Sequence, residues 1–318
     1  MESIDLSPLI AARSIALAYY SPYYFLRQLS VGVQHELFGT GMAARWRQES
    51  GTEIHTVIDA DTEVHWLLQN LLWDTEYFAT PMVRLFTGLF GSDATVEVLA
   101  QAATGLRQQL AAQHGAYYAF TVVPTEDPRL LQGLTAAGWR LVETRLTYYR
   151  DQLSTFDYPR HSVRAAAPEE AAPIGRVAAV ARNPYDRFHA DAWFGDARAD
   201  AFLARYAENT VSAGLAAAVL VPNEPGLSID SFLAISDLTS DSAALATQLS
   251  RVLLTAVGPA NRGWHVKLVA ETLHRAKELG HEAVLMTTQT TNHAVFRTCE
   301  KLGFRLGASS HVLACHGR

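Results

Sequence analysis

Cysteine is nearly absent: the 318 residues contain two, Cys299 and Cys315, outside any Cys-x-x-Cys spacing. Neither a disulfide framework nor a zinc site is expected from such a pair, no metal is expected elsewhere, and free thiols suit a reducing cytoplasm. Basic charge is also short, with 26 Lys and Arg against 32 Asp and Glu and a net charge of −6. A nucleic-acid binder normally carries a basic excess or stripe, so no nucleic-acid partner is expected. Long apolar runs are missing too. The longest uncharged stretch near the N-terminus, Ser14 to Leu26, lies between Arg13 and Arg27 and contains Pro22, whereas a bilayer span needs about 20 apolar residues. The chain opens Met1-Glu2-Ser3-Ile4-Asp5, acidic where a signal peptide would be basic, so a cytoplasmic protein without a leader or membrane contact is expected. What is present is apolar: 49% of residues against 18% charged, enough for a sizeable core and against disorder. The length allows two domains or one large one.

Residues 1–55 read as a helical, aromatic segment. Leu6, Ile10, Leu17 and Tyr20 fall on helical spacing, Ser21-Pro22 marks a break, and a second stretch runs from Phe25 to Phe38. Tyr19, Tyr20, Tyr23 and Tyr24 suit either the lining of a sugar or aromatic cleft or a helix packed on a neighbour with its phenols at the rim. From Thr56 the pattern turns α/β. A strand is expected at Met82–Leu85, a helix over Thr95–Gln113, a strand over Tyr117–Val123, a short helix over Pro128–Ala137 and a strand over Trp139–Tyr149. Asp151–Ser162, with Pro159, reads as a linker.

The second half repeats this order. A strand starts at Val163, and helices are expected over Pro168–Ala181 and Asp196–Ala213. Strands follow at Ala216–Val221, Ser231–Asp237 and Ala246–Val257, with a polar turn at Thr239–Ser242. Val266, Val269, Leu273, Ala276 and Leu279 mark a helix, Ala283–Thr288 a strand, His293–Leu302 a helix and Phe304–Ala314 the last strand. Gly115 and Gly138 recur as Gly280 and Gly303 at a constant offset of 165. Each can stop a helix, and with the shared order they suggest a weak internal repeat. The first half would be a decayed copy: its match to the turn at Arg262-Gly263 is Thr95–Val98, without glycine. Such a copy could shape a substrate cleft but would lack a phosphate loop.

The chemistry is carried by the strand from Leu254, the turn at Arg262-Gly263 and the helix to Gly280. Unpaired amides at a helix N-terminus carry partial positive charge and can hold a pyrophosphate, although a strand-turn-helix junction with one glycine can equally be structural. The order around it narrows the choice. An Arg-Gly turn, a helix ending Glu278-Leu279-Gly280, a strand, Asn292 and then Glu300-Lys301-Leu302-Gly303-Phe304 resemble the GCN5-related N-acetyltransferase (GNAT) superfamily over Val163 to Ala314.

The resemblance implies an α/β (α+β) GNAT fold: a mixed, mostly antiparallel sheet with a V-shaped splay between two parallel strands. The domains implied are a helical segment at 1–55, a degenerate, partial GNAT-like module at 56–157 and an acetyl-CoA-binding domain at 158–318. By the same resemblance Leu254, Thr255 and Val257 would pair with pantetheine. Arg262, Gly263, Trp264, His265, Val266 and Lys267 would cradle the pyrophosphate, and Asn292 would contact the pantetheine arm or the acetyl end.

A closer likeness is to the branch acetylating dTDP-4-amino-4,6-dideoxyhexoses, the dTDP-fucosamine acetyltransferases. It rests on Trp73-Asp74-Thr75-Glu76-Tyr77-Phe78 before Val83-Arg84-Leu85, on Asp186-Arg187-Phe188-His189-Ala190-Asp191, and on Thr288-Gln289-Thr290-Thr291-Asn292. Two departures matter. His265 and Lys267 stand where that turn has glycines, which let backbone approach phosphate closely; Lys267 could add charge to the site or simply face solvent. Cys299 stands where the family has the Tyr that protonates the leaving thiolate, and it could act as the acid or be a small buried residue.

The base that frees the amine of its proton is sought among His189, Asp191 and Asp237, with His311 and His316 as weaker candidates. Arg187 could bind a nucleotide diphosphate or pair with Asp186 or Asp191, and Asp237 is also a candidate substrate contact. The expected activity is acetyl transfer from acetyl-CoA to a primary amine of a small polar acceptor, by direct attack in a ternary complex. A nucleotide-linked amino sugar is the favoured acceptor. The rivals are an amino acid, polyamine or antibiotic acceptor, or a pseudo-enzyme or scaffold that binds CoA weakly. A homodimer is left open.

Overall fold

A computed structural model describes residues 5–59 and 62–317; the acidic opening at Met1–Ile4 lies outside them. The chain divides into two compact units, residues 1–144 with 309–318, and residues 145–308.

In the first unit, α1 (Ser7–Ala12), α2 (Ser14–Ala18), α3 (Val31–Gln34) and α4 (Met42–Arg47) precede a hairpin of β1 (Thr52–Asp59) and β2 (Thr62–Asn70). Then come α5 (Leu72–Phe78), β3 (Met82–Leu89), α6 (Val96–His114), β4 (Tyr117–Pro124), α7 (Pro128–Ala136) and the start of β5 (Arg140–Asp151), whose residues from 145 on belong to the second unit. β2 is buried on both faces. Val64, Trp66 and Leu68 meet Leu99, Ala103 and Leu106 of α6, while Leu67 joins Leu6, Leu17, Met42 and Trp46 from the N-terminal helices. A strand covered on both sides loses its apolar–polar alternation, which is why β2 does not stand out in the sequence. The aromatic segment from Leu6 to Trp46 therefore packs as a helical layer against β2.

The second unit holds β6 (Val163–Ala165), α8 (Ala171–Val180), α9 (Arg187–Ala190), α10 (Asp196–Ser212), β7 (Ala218–Pro222), β8 (Ser231–Asp237) and α11 (Thr239–Leu245). It continues through β9 (Leu249–Val257), α12 (Trp264–Glu278), β10 (Ala283–Gln289), α13 (His293–Lys301) and the start of β11 (Arg305–Gly317), whose residues from 309 on belong to the first unit. α12 and α13 cover one face through Leu268, Leu273, Val295 and Cys299. On the other, Ile174, Val177 and Ala207 meet Val221, Phe232 and Ala234. The expected polar turn after Asp237 is the short helix α11, and the expected linker is a packed strap: Leu153 and Phe156 are buried in this core, and Arg160 pairs with the buried Glu271 at 3.0 Å.

The two units repeat one plan. Each has an antiparallel strand, a short helix, a strand, a long helix, a parallel strand and another helix in the same order. The sheets are mixed and mostly antiparallel, each with one parallel pair, β3–β4 and β9–β10. The last strand of each half is placed alike: β5 pairs with β10 from Asp151 to Arg145, and β11 pairs with β4 from Ser310 to Gly317. The four repeat glycines, Gly115, Gly138, Gly280 and Gly303, all have positive φ, the left-handed conformation that ends a helix.

Candidate functional site

The second unit opens a wedge between its parallel strands. β9 and β10 pair from Leu249↔Ala283 to Val252↔Met286 and no further. Yet β9 stays bonded to β8 as far as Val257↔Ser231, and β10 to β5 as far as Gln289↔Arg145. Each strand is thus held by its outer neighbour while the two part company. The parting point is marked by a bulge: Val252 faces Ile235 and Leu254 faces Ala234, leaving Leu253 as the extra residue. A bulge bends and twists its strand, which turns β9 away from β10. Leu254, Thr255 and Val257 all lie on the diverging part of β9 and are half-buried; the Thr255 hydroxyl is spent on the Phe232 carbonyl at 3.0 Å.

At the wide end a turn leads into α12, and side chains from outside it set its shape. The Asp230 carboxylate accepts from the Ala260 amide at 2.7 Å, and the Asp230 carbonyl accepts from Gly258 at 2.7 Å. A Cβ at Gly258 would collide with the Asp230 side chain at 2.1 Å. Asn261, fully buried, donates to Ser228 O at 3.2 Å and Ser231 Oγ at 2.9 Å. Asp230 and Asn261 were not legible as site residues; only the turn-forming character of the Pro-Ala-Asn run hinted at the second. Gly263 then takes φ +92° and α12 begins without any capping side chain. Its first-turn amides, including those of Trp264, His265 and Val266, stay open to an anion. Arg262 beside them is exposed.

The two residues in place of glycines point elsewhere. The Lys267 ammonium lies 3.6 Å from Glu224 and 4.3 Å from the centroid of the Trp264 ring. His265 turns inward to Thr298 Oγ1 at 2.8 Å and ties α12 to α13. Its Nε2 is buried with no hydrogen-bond partner, and burial pushes its pKa down to about 4, so it is neutral at physiological pH.

Asn292 caps α13, its Oδ1 accepting from Val295 N–H at 3.3 Å. The preceding Gln289, at the end of β10, receives a 2.7 Å bond from Asn183 in the loop after α8, a contact with no signature in the sequence. Cys299 is fully buried and desolvation pushes its thiol up to about 12, so it is a protonated thiol. Tyr148 on β5 neighbours it: the ring lies 6.0 Å from Phe296, and burial above all raises its phenol above the usual value.

The remaining candidates are engaged in local structure. His189 meets Asp186 through Nδ1 at 2.8 Å and Asp200 through Nε2 at 3.1 Å, so both ring nitrogens have carboxylate partners. Buried Asp191 accepts from the Trp193 amide at 3.1 Å. Arg187 is buried with its guanidinium 4.3 Å over the Phe188 ring. Asp237 holds Arg275 through two bonds of 2.8 and 2.6 Å, and Arg275 above all keeps its carboxyl below the usual range. It faces Ser250, at the closed end of the parallel pair. His311 bonds Thr144 at 3.0 Å in the first unit.

No protein-family model matches the sequence, and no curated protein matches it. Solved structures do match. A GCN5-related N-acetyltransferase from Sphaerobacter thermophilus aligns with a TM-score of 0.53 at 12% identity, over 99% of this chain and 94% of the other. A GNAT-family acetyltransferase from Colwellia psychrerythraea aligns at 0.50 and 13% identity, over 100% and 98%. A fungal GCN5-related glucosamine N-acetyltransferase region, part of a multi-domain GH3 β-N-acetylglucosaminidase, aligns at 0.57 and 11% identity, over 98% of this chain and 37% of the other. With the splayed parallel pair, the bulge at its apex and the open helix N-terminus below it, these likenesses identify the fold: the chain has the fold of the GCN5-related N-acetyltransferases, laid down twice.

Proposed function

We propose that the protein is an acetyl-CoA-dependent N-acetyltransferase whose working site is the wedge between β9 and β10. One observation carries the reading: two parallel strands separate beyond Val252↔Met286 above a helix that starts with no cap at Gly263. The diverging edge at Leu253–Val257 offers backbone groups with no β10 partner, suited to the amides of a pantetheine arm. The α12 amides and the exposed Arg262 suit a pyrophosphate. Acetyl-CoA supplies the thioester carbonyl. The acceptor is a primary amine on a small polar molecule, and the dTDP-amino-sugar resemblance makes a nucleotide-linked amino sugar the first to try. The amine attacks directly: the new N–C bond forms, the C–S bond breaks, the thiolate leaves and is protonated, and the amine proton passes to solvent. A covalent acyl-enzyme is disfavoured because the one cysteine of this unit, Cys299, is buried and protonated. Positioning can supply much of the rate here, which suits a site where His189 and Asp237 already have charged partners.

A non-catalytic reading draws on His265 and Lys267, which stand where close phosphate approach favours glycine. Thermal unfolding with added acetyl-CoA separates the two. A native-state ligand at 100 times its dissociation constant adds about 2.7 kcal/mol, so a clear rise in Tm is expected, and no rise at millimolar acetyl-CoA removes the enzyme reading. Thiol release across amine acceptors, dTDP-amino sugars among them, then identifies the acceptor.

A further inference from the structure

The first unit builds the same wedge and fills it with its own side chain. β3 and β4 pair from Met82↔Tyr118 to Leu85↔Thr121 and then separate. A bulge again marks the point: Leu68 faces Leu85 and Leu67 faces Thr87, leaving Phe86 over. Arg13, between α1 and α2, crosses the resulting gap. Its guanidinium donates to both carboxylate oxygens of Asp127, at 2.9 and 2.7 Å, and to Thr87 Oγ1 at 3.2 Å. Thr87 belongs to the part of β3 that has left β4, and Asp127 follows the end of β4. Phe90 lies under the guanidinium at 4.1 Å, and the Tyr20 hydroxyl donates to Asp127 Oδ2 at 2.9 Å. Arg13 and Asp127 are 5% and 2% exposed and Thr87 not at all, so the gap is closed to solvent where the bridge stands. Burial opposes the Arg13 charge, but Asp127 outweighs it and holds the guanidinium above its ordinary pKa.

The helix N-terminus below this wedge also differs from that of α12. Thr95 caps α6, its hydroxyl accepting from the Val98 amide at 3.3 Å, where α12 begins with no cap. At the position that Asn292 fills in the second unit stands Asp127, whose carboxylate is taken up by Arg13.

We propose that Arg13 is a permanent, built-in occupant of the N-terminal wedge: it braces the parted ends of β3 and β4 in place of a ligand, so that one acyl-CoA binds per chain. The clause on acyl-CoA rests on the reading of the β9–β10 wedge; the brace does not. A ligand entering the first wedge would have to break a buried charge pair, and it would find one amide of the α6 N-terminus, that of Val98, already capped.

Maleimide labelling of a Thr87→Cys variant tests the brace without any ligand. Both native cysteines are buried, and mass spectrometry assigns the label to position 87. Labelling is expected to be at least about 100-fold faster when Arg13→Ser is added; equal rates in the two backgrounds, whether fast or slow, overturn the proposal. Because Arg13→Ser alone strands a buried carboxylate and can unfold the unit, Arg13→Ser with Asp127→Ser is the second background, in which the same acceleration is expected with the circular dichroism spectrum unchanged. Calorimetry with acetyl-CoA on the unmodified chain should give one site. Two sites overturn the brace. No binding at all removes the reading of the C-terminal wedge, while the labelling rates still decide the brace.

Discussion

Asp127 and Asn292 occupy the same place in the two units, each the residue before the helix that follows the second parallel strand, 165 positions apart. Asn292 turns its side chain to its own helix and caps it. Asp127 makes no such cap and gives its carboxylate to Arg13 instead. One exchange, amide for carboxylate, separates a helix end that is locally satisfied from one drawn into a buried ion pair.

That pair sets the first expectation. Arg13→Met leaves the Asp127 carboxylate buried and alone, and breaking a buried pair on one side costs about 3–5 kcal/mol. Chemical denaturation should show a loss of that order. Arg13→Met with Asp127→Leu should recover most of it, since no lone charge remains; a double variant as unstable as the single one contradicts the assignment.

Gly263→Ala probes the turn below the β9–β10 wedge. No atom lies within 4 Å of the added methyl, but φ is +92°, and an L-residue in left-handed backbone costs about 1–2 kcal/mol. The variant should unfold earlier by that amount and, because the strain falls on the first turn of α12, show a smaller acetyl-CoA-induced rise in Tm than the parent. An unchanged rise would disconnect the turn from the cofactor.

His265 makes stability pH-dependent. Burial lowers its pKa from 6.5 to about 4 in the folded chain, so as pH falls below about 6.5 the unfolded chain takes up a proton that the native one refuses. Stability is therefore lost between about pH 6.5 and 4, by on the order of 3 kcal/mol from this residue, and no further below. The difference in unfolding free energy between the parent and His265→Gln, followed across that window, should track this curve; a pH-independent difference rules it out.

Both thiols should be inert in the native state. Desolvation pushes Cys299 and Cys315 alike up to about 12, and a disulfide reagent attacks only an accessible thiolate. Two thiols per chain should appear in denaturant and almost none without it. Cys299→Tyr, meant to supply a phenol, has no room and should cost about 1–3 kcal/mol through overpacking; Tyr148 already stands on the neighbouring strand.

Much of the second unit was legible because its signals are local. Glycine stops at 280 and 303 and the apolar period from Val266 to Leu279 place α12, β10 and α13 within one or two residues. The repeat was legible through its glycines and the shared order of elements, since a helix end with positive φ constrains one residue type while packed strands tolerate many. β2 was not legible, because burial on both of its faces erases alternation. His189 and Asp237 read as reactive by residue type, and a sequence has no means of displaying the partners that engage them, Asp186 and Asp200 in one case and Arg275 in the other.

By itself the sequence determined the order of most elements from β3 onward, the strand-turn-helix junction at Arg262-Gly263 and the placement of two thiols outside any bridging motif. Only the tertiary structure decided which of two similar wedges stays open. That choice depends on Arg13 reaching Asp127 across 114 residues of chain, and a contact of that separation exists only once the strands between have been folded into place.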